Sequence, residues 1–114
     1  MISAPLSIAD VLDAAADLIE PEGSWTQGSY AKDAAGRQVL STDESAVCWC
    51  AVGAITRVSG GGLPAASARR HLAAFCNLRQ TEDITDWNDW SGREHSGVVG
   101  TFRKAAALAR EQQA

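Results

Sequence analysis

Apolar residues recur at helical spacing in four stretches of the chain and lose that spacing between them. Over residues 7–20, Ile8, Val11, Leu12, Ala15, Leu18 and Ile19 fall on one face, and Asp10, Asp13, Asp17 and Glu20 on another. This is the period of an amphipathic helix. Ser7, with Asp10 three positions on, is a weaker form of the capping box, and Pro21 and Gly23 stop the helix. Residues 24–40 lose the period. Trp25 to Ala31 has strand-like content, Asp33-Ala34-Ala35-Gly36 is turn chemistry, and Arg37 to Leu40 returns as a second strand, so a short β-hairpin is expected.

The period resumes after Ser41, where Ser41-x-x-Glu44 reads as a capping box. Val47, Ala51, Ala54, Ile55 and Val58 repeat at helical spacing, and Cys48 and Val52 widen the stripe. A helix apolar around most of its circumference is expected to be the central, most buried element. Gly53 lies inside it, and the ring of Trp25 or Trp49 is expected to use the gap that its missing side chain leaves. Ser59-Gly60-Gly61-Gly62 ends that helix. Pro64 suits the first turn of a third, running to about Leu78 with Ala65, Ala68, Leu72 and Phe75 inward. Residues 79–91 read as a polar loop carrying Asp86-Trp87-Asn88-Asp89-Trp90. A second box, Ser91-x-x-Glu94, opens the last helix, with Val98, Val99, Phe102, Ala106 and Ala109 inward and fraying expected from Gln112. The fold class is therefore mainly α (α+β): about four helices packed around a central helix, with a short β-hairpin, in one domain over residues 1–114.

Composition narrows the picture. Hydrophobic residues make up 46% of the chain and charged residues 21%, globular values that argue against disorder. Aromatics are 6%, and four of the seven are Trp, so small aliphatic residues fill most of the core. The net charge of −4 opposes the phosphate contacts that dominate nucleic-acid affinity, so nucleic acid is an unfavoured partner. No stretch approaches the roughly 20 apolar residues of a membrane span. Met1 to Pro5 lacks the basic and apolar regions of a secretory signal. Three cysteines form no disulfide framework, so reduced thiols and a cytoplasmic location are expected.

Four constellations bear on chemistry. On a helix, Cys48 and Cys50 would stand about 200° apart and could share neither a metal nor a disulfide; no metal or cofactor is expected. Cys48-Trp49, His71 and Asn88 follow the chain order of papain-type proteases. The chain lacks the Gly-Ser before that cysteine and is about half the length of that catalytic domain, and its His71 sits on a helix beside Arg69 and Arg70. Gly60-Gly61-Gly62 lacks the Lys and hydroxyl ending of a phosphate loop. The helix–glycine–helix outline resembles a helix-turn-helix, with a connection longer than usual. Trp87-Asn88-Asp89-Trp90 is either an Asx turn before a helix or an aromatic–polar recognition surface. The acidic face of the first helix reads as solvated, within reach of Arg103, Lys104 and Arg110 if the termini pack together.

Ala16-Asp17-Leu18-Ile19, Gly23-Ser24-Trp25 with Gly28, Trp49-Cys50-Ala51-Val52-Gly53-Ala54 and Trp87-Asn88-Asp89 follow one another along nearly the whole chain. In that order they resemble an uncharacterised family of small bacterial and phage proteins. The resemblance implies no activity. It groups Trp25, Trp49, Cys50, Gly53, Trp87, Asn88 and Asp89 as one candidate binding or structural cluster, leaving Cys48 outside. The leading expectation is a non-catalytic intracellular interaction or accessory protein of phage or mobile-element origin, acting on a protein partner. A cysteine-dependent hydrolase or transferase and a helix-turn-helix-like nucleic-acid binder are the alternatives.

Overall fold

The first amphipathic stretch forms helix α1 (Ile8–Ile19) in the computed structural model, which describes residues 7–113. The Ser7 hydroxyl accepts the Asp10 N–H at 3.0 Å, and the Asp10 carboxylate accepts the Ser7 N–H at 3.5 Å. The expected box is thus reciprocal and satisfies donors that the helix itself cannot. Ala9, Val11, Leu12, Ala15, Ala16 and Ile19 are buried. The reading of Met1 to Pro5 as no secretory signal lies outside the described residues.

The expected short antiparallel pair forms, but its second strand comes from farther along the chain than the 37–40 segment. Strand β1 (Ala31–Lys32) runs antiparallel to β2 (Cys48–Trp49), with Ala31 opposite Trp49 and Lys32 opposite Cys48. The nearer segment contributes one bridge, Lys32 to Gln38. The turn between them does form: the Asp33 carboxylate accepts the N–H groups of Ala35 and Arg37 at 2.9 Å, and Gly36 takes a φ of 82°. Trp49 also exchanges backbone bonds with the Trp25 segment, donating to the Ser24 carbonyl at 2.9 Å and accepting from Thr26 at 3.0 Å.

Ser41-x-x-Glu44 does not open a helix. Helix α2 spans Ala51–Ser59, and residues 41–46 are turns. The Asp43 carboxylate accepts the Ser45 N–H at 2.8 Å and its hydroxyl at 2.7 Å, a local alternative to helical bonding. Trp49 Nε1 donates to the Ser41 carbonyl at 2.9 Å, and Arg57 donates to the carbonyls of Ser41 and Asp43 at 3.3 and 2.8 Å. These bonds fold the segment back over α2. Val47, expected inward, is consequently exposed. Extended backbone through Cys48 also removes the helical angle expected between Cys48 and Cys50.

Helix α3 (Gly62–Phe75) follows only two residues after α2, with Gly60 and Gly61 at φ 80° and 89°. The connection is shorter than expected. Ala65, Ala68, Leu72 and Ala73 are buried, whereas Phe75, expected inward, is exposed at the helix end. Leu78 packs on the core from beyond that end. Residues 79–91 are not all loop: Asp83–Asp89 form a short helix, α4, giving five helices among the described residues. Helix α5 (His95–Gln113) opens after the second box rather than at Ser91, and its Val98 N–H bonds the Glu94 carbonyl at 3.1 Å. Its helical hydrogen bonding continues through Gln112, where fraying was expected.

The protein is mainly α with a small two-stranded antiparallel sheet. Helix α2 meets α1, α3, α4 and β2, the central place expected of it. Helix α5 lies antiparallel along α1, joined by Arg103 to Asp13, Asp17 and Glu20 and by Arg110 to Asp10 and Asp13. The acidic stripe is therefore paired rather than only solvated. Most buried apolar residues are alanines, including Ala15, Ala16, Ala54, Ala68, Ala105 and Ala106. Small side chains at the contacts let helix axes approach closely.

Candidate functional site

Asn88 is the polar centre of the molecule. It is 0% exposed, and its side chain makes four hydrogen bonds. Oδ1 accepts from Trp25 Nε1 at 2.8 Å and from the Ala51 N–H at 3.0 Å. Nδ2 donates to the Thr26 carbonyl at 3.1 Å and to Asp89 Oδ1 at 2.9 Å. Four bonds are the full capacity of an amide. Around it the segment 25–28 clips the end of α4. Gln27 Nε2 donates to the carbonyls of Asn88 and Trp90 at 2.9 and 3.1 Å, and the Gly28 N–H donates to Asp89 Oδ1 at 3.0 Å. The Gln27 amide thus satisfies carbonyls that a helix end leaves open. Trp25 also stacks on His95, with ring centroids 5.8 Å apart, and His95 Nε2 bonds the Ile19 carbonyl.

The same knot caps α2. Its first N–H, from Ala51, goes to Asn88, and the Gly53 N–H goes to Cys50 Sγ at 3.3 Å. Cys50 is the N-cap residue, with extended backbone, a role in which sulfur replaces the usual oxygen. Gly53 is required for a reason other than a ring. A Cβ there would fall on the Tyr30 carbonyl, which accepts the Cys50 N–H at 3.1 Å. Neither Trp25 nor Trp49 fills that gap.

Cys50 and Asp89 also line a cleft of about 260 Å³, together with Gly28, Ser29, Tyr30, Gln38 and Thr85. The expected cluster is thus divided. Cys50 and Asp89 face the cleft, while Trp25, Trp49, Gly53 and Asn88 build the structure behind it. Trp87 lines a different groove with Leu78, Asp83, Asp86, Trp90 and Arg93, where the Arg93 guanidinium lies 4.3 Å from the Trp87 ring centroid and 5.2 Å from that of Trp90. The Asx-turn reading of the Trp–Asn–Asp–Trp segment does not hold: residues 87–89 lie in α4, and Asn88 bonds remote segments rather than its local backbone, while Trp90 is exposed.

Sequence reading missed Tyr30, Gln38 and Thr85, and above all the central position of Tyr30. Tyr30 is 56% exposed and borders three clefts. One is the Cys50–Asp89 cleft. A second is lined by Val52, Arg69, Thr81, Glu82 and Thr85, and a third by Val39, Leu40, Ser41, Thr42, Val52 and Thr56. Leu40, at the rim of the third, is 76% exposed. The available signal was that Tyr30 is the single tyrosine, set close to the polar residues Gln27, Ser29 and Lys32.

The chemistry expected of an activated thiol has little support in this geometry. Burial pushes the Cys50 thiol up from its ordinary value, only partly countered by the Gly53 and Val52 N–H groups, and the Asp89 charge adds to the rise. A nucleophilic cysteine needs the opposite shift. His71 Nε2 is engaged with the Ala105 carbonyl at 2.9 Å, tying α3 to α5 rather than standing on the surface, and the Asn88 amide is committed to the knot. Cys48 Sγ lies 3.9 Å from the Lys32 carbonyl. All three thiols are free, and no group of three His, Cys, Asp or Glu side chains converges among the described residues.

The chain belongs to a family of unknown function (DUF6197), whose model matches residues 3–108. No curated protein and no solved structure matches it.

Proposed function

We propose that this member of the family is a non-catalytic interaction protein that docks a protein partner through the face centred on Tyr30. The observation that carries the reading is the exposed Tyr30 standing between three clefts, with Leu40 projecting beside it. Tyrosine presents large, rigid, amphipathic area with little rotamer freedom to lose, and aromatic anchors dominate binding energy at interfaces. The face mixes an apolar cleft at Val39, Leu40 and Val52 with polar groups at Arg69, Glu82 and Asp89, the core-and-rim composition of a recognition surface. The free thiols support action in a reducing, cytoplasmic setting.

The test is site-specific photocrosslinking in the native cell, with the crosslinking residue at position 30 and, as control, at exposed position 107 on α5. A discrete adduct from position 30 alone is expected. Its yield should fall at least about fivefold when Leu40→Ser is added, matching an interface residue worth about 1 kcal/mol. Equal adducts from both positions, or an adduct indifferent to Leu40→Ser, would overturn the reading.

A further inference from the structure

We infer that the cleft between Cys50 and Asp89 binds a single ammonium or guanidinium group. This inference deepens the Tyr30 reading and rests on it for the source of the group. Asp89 is the one carboxylate in the lining, and no Lys or Arg lines the cleft among the described residues. Its orientation is fixed from behind: Oδ1 accepts both the Gly28 N–H and Asn88 Nδ2, at 3.0 and 2.9 Å. Oδ2 takes no hydrogen bond among the described residues, so it remains available as an acceptor. A carboxylate held by two donors keeps its geometry when a cation arrives, which lowers the ordering cost of binding. The rest of the lining is neutral and able to hydrogen-bond, from Ser29, Tyr30, Gln38 and Thr85. This suits the several N–H donors of an ammonium or guanidinium. Gly28 leaves open space at the mouth, since a Cβ there would meet nothing within 4 Å.

Size and charge restrict the ligand. A cleft of about 260 Å³ lies below the range of drug-sized ligand sites, so it fits the end of one side chain or a small amine. The negative field of Asp89 reaches the cleft floor, where it helps hold the Cys50 thiol protonated. The acidic stripe on α1 is paired with Arg103 and Arg110, whereas Asp89 has no ion-pair partner among the described residues. The shared chemistry has two sources, a lysine or arginine of a docked protein or a free small amine.

Amide NMR separates them, with the Gly28 N–H as reporter because it bonds Asp89 directly. The probes are n-butylammonium, n-butanol as its uncharged control, and a blocked leucine–glycine–lysine tripeptide. A saturable shift of Gly28 with both cations and none with butanol is expected. Affinity should drop at least tenfold in Asp89→Asn, which keeps an acceptor for Gly28, and should weaken in unmodified protein as salt is raised, as exposed charges are screened. No saturable Gly28 shift with either cation, or equal shifts in Asp89→Asn, would overturn the inference. A tripeptide at least tenfold tighter than butylammonium, with that gain lost in Tyr30→Ala, assigns the source to a protein side chain. Equal affinities assign it to a free amine. Failure of the Gly28 response with an intact crosslink from position 30 removes this inference alone. The converse result removes the docking face alone.

Discussion

Asn88 and Gly53 show how one side chain, or the lack of one, positions the candidate site. Asn88 joins two stretches remote in sequence, at Trp25–Thr26 and Ala51, to its own neighbour Asp89. Removing its amide leaves buried donors and acceptors without partners, each costing about 1–3 kcal/mol. Asn88→Ala should therefore lower unfolding free energy by about 2–4 kcal/mol in urea titrations. A loss within the range of an exposed substitution would contradict the knot. Gly53 makes a sharper case because two arguments give opposite signs. Helix propensity favours alanine over glycine by about 1 kcal/mol. The Tyr30 carbonyl occupies the Cβ position, and overpacking costs about 1–3 kcal/mol. The carbonyl is backbone and cannot swing away, so Gly53→Ala should be net destabilising by up to about 2 kcal/mol, measured by the same titration.

At the level of elements, legibility followed the range of the interactions. Helix α1 was readable because an amphipathic period and a local cap suffice to specify it, and α5 was readable from its amphipathic period. The second helix was misplaced because Ser41 and Glu44 satisfy the local pattern, while Trp49 and Arg57 bind the carbonyls of residues 41 and 43 from a distance. The short α4 was unreadable for a related reason: its end is held by Gln27 and Gly28, 61 residues away in sequence. The site followed the same rule. The residues of the cluster were named, but which of them face solvent depends on that long-range clip. Helix pairing offers a further test. Arg103 bonds the Asp13 carbonyl at 3.2 Å and the Asp17 carboxylate at 2.6 Å from a half-exposed position. Discounted for solvent screening, Arg103→Ala should destabilise by about 1 kcal/mol or less. The difference from unmodified protein should shrink between 0.05 and 1 M salt, on the order of the change in screening length from above 10 Å to about 3 Å.

For the whole molecule, the buried thiols set a pH dependence. Burial raises both Cys50 and Cys76 above the ordinary thiol value of 9.0. A raised folded-state value means that the folded chain holds these protons more tightly than the unfolded chain. The associated stability is complete below about pH 9 and is lost as pH rises beyond it. Denaturant midpoints should therefore fall between pH 8 and 10, and the double variant Cys50→Ser, Cys76→Ser should show a smaller fall. An identical fall in both proteins would mean that other groups carry the dependence. Because Cys50 also caps α2, serine is the informative replacement: it retains a capping atom while removing the thiol titration.

The antiparallel run of α5 along α1 has a topological consequence. Arg110 reaches Asp10 and Asp13, so the two ends of the described chain lie at one pole of the fold. The path is that of a ring with a single gap. A short flexible linker can bridge it, and the exposed glycine turn at Gly60 and Gly61 supplies the place to reopen it. A circular permutant cut there should keep both the Asn88 knot and the Tyr30 face, since no residue that builds them lies at the new break.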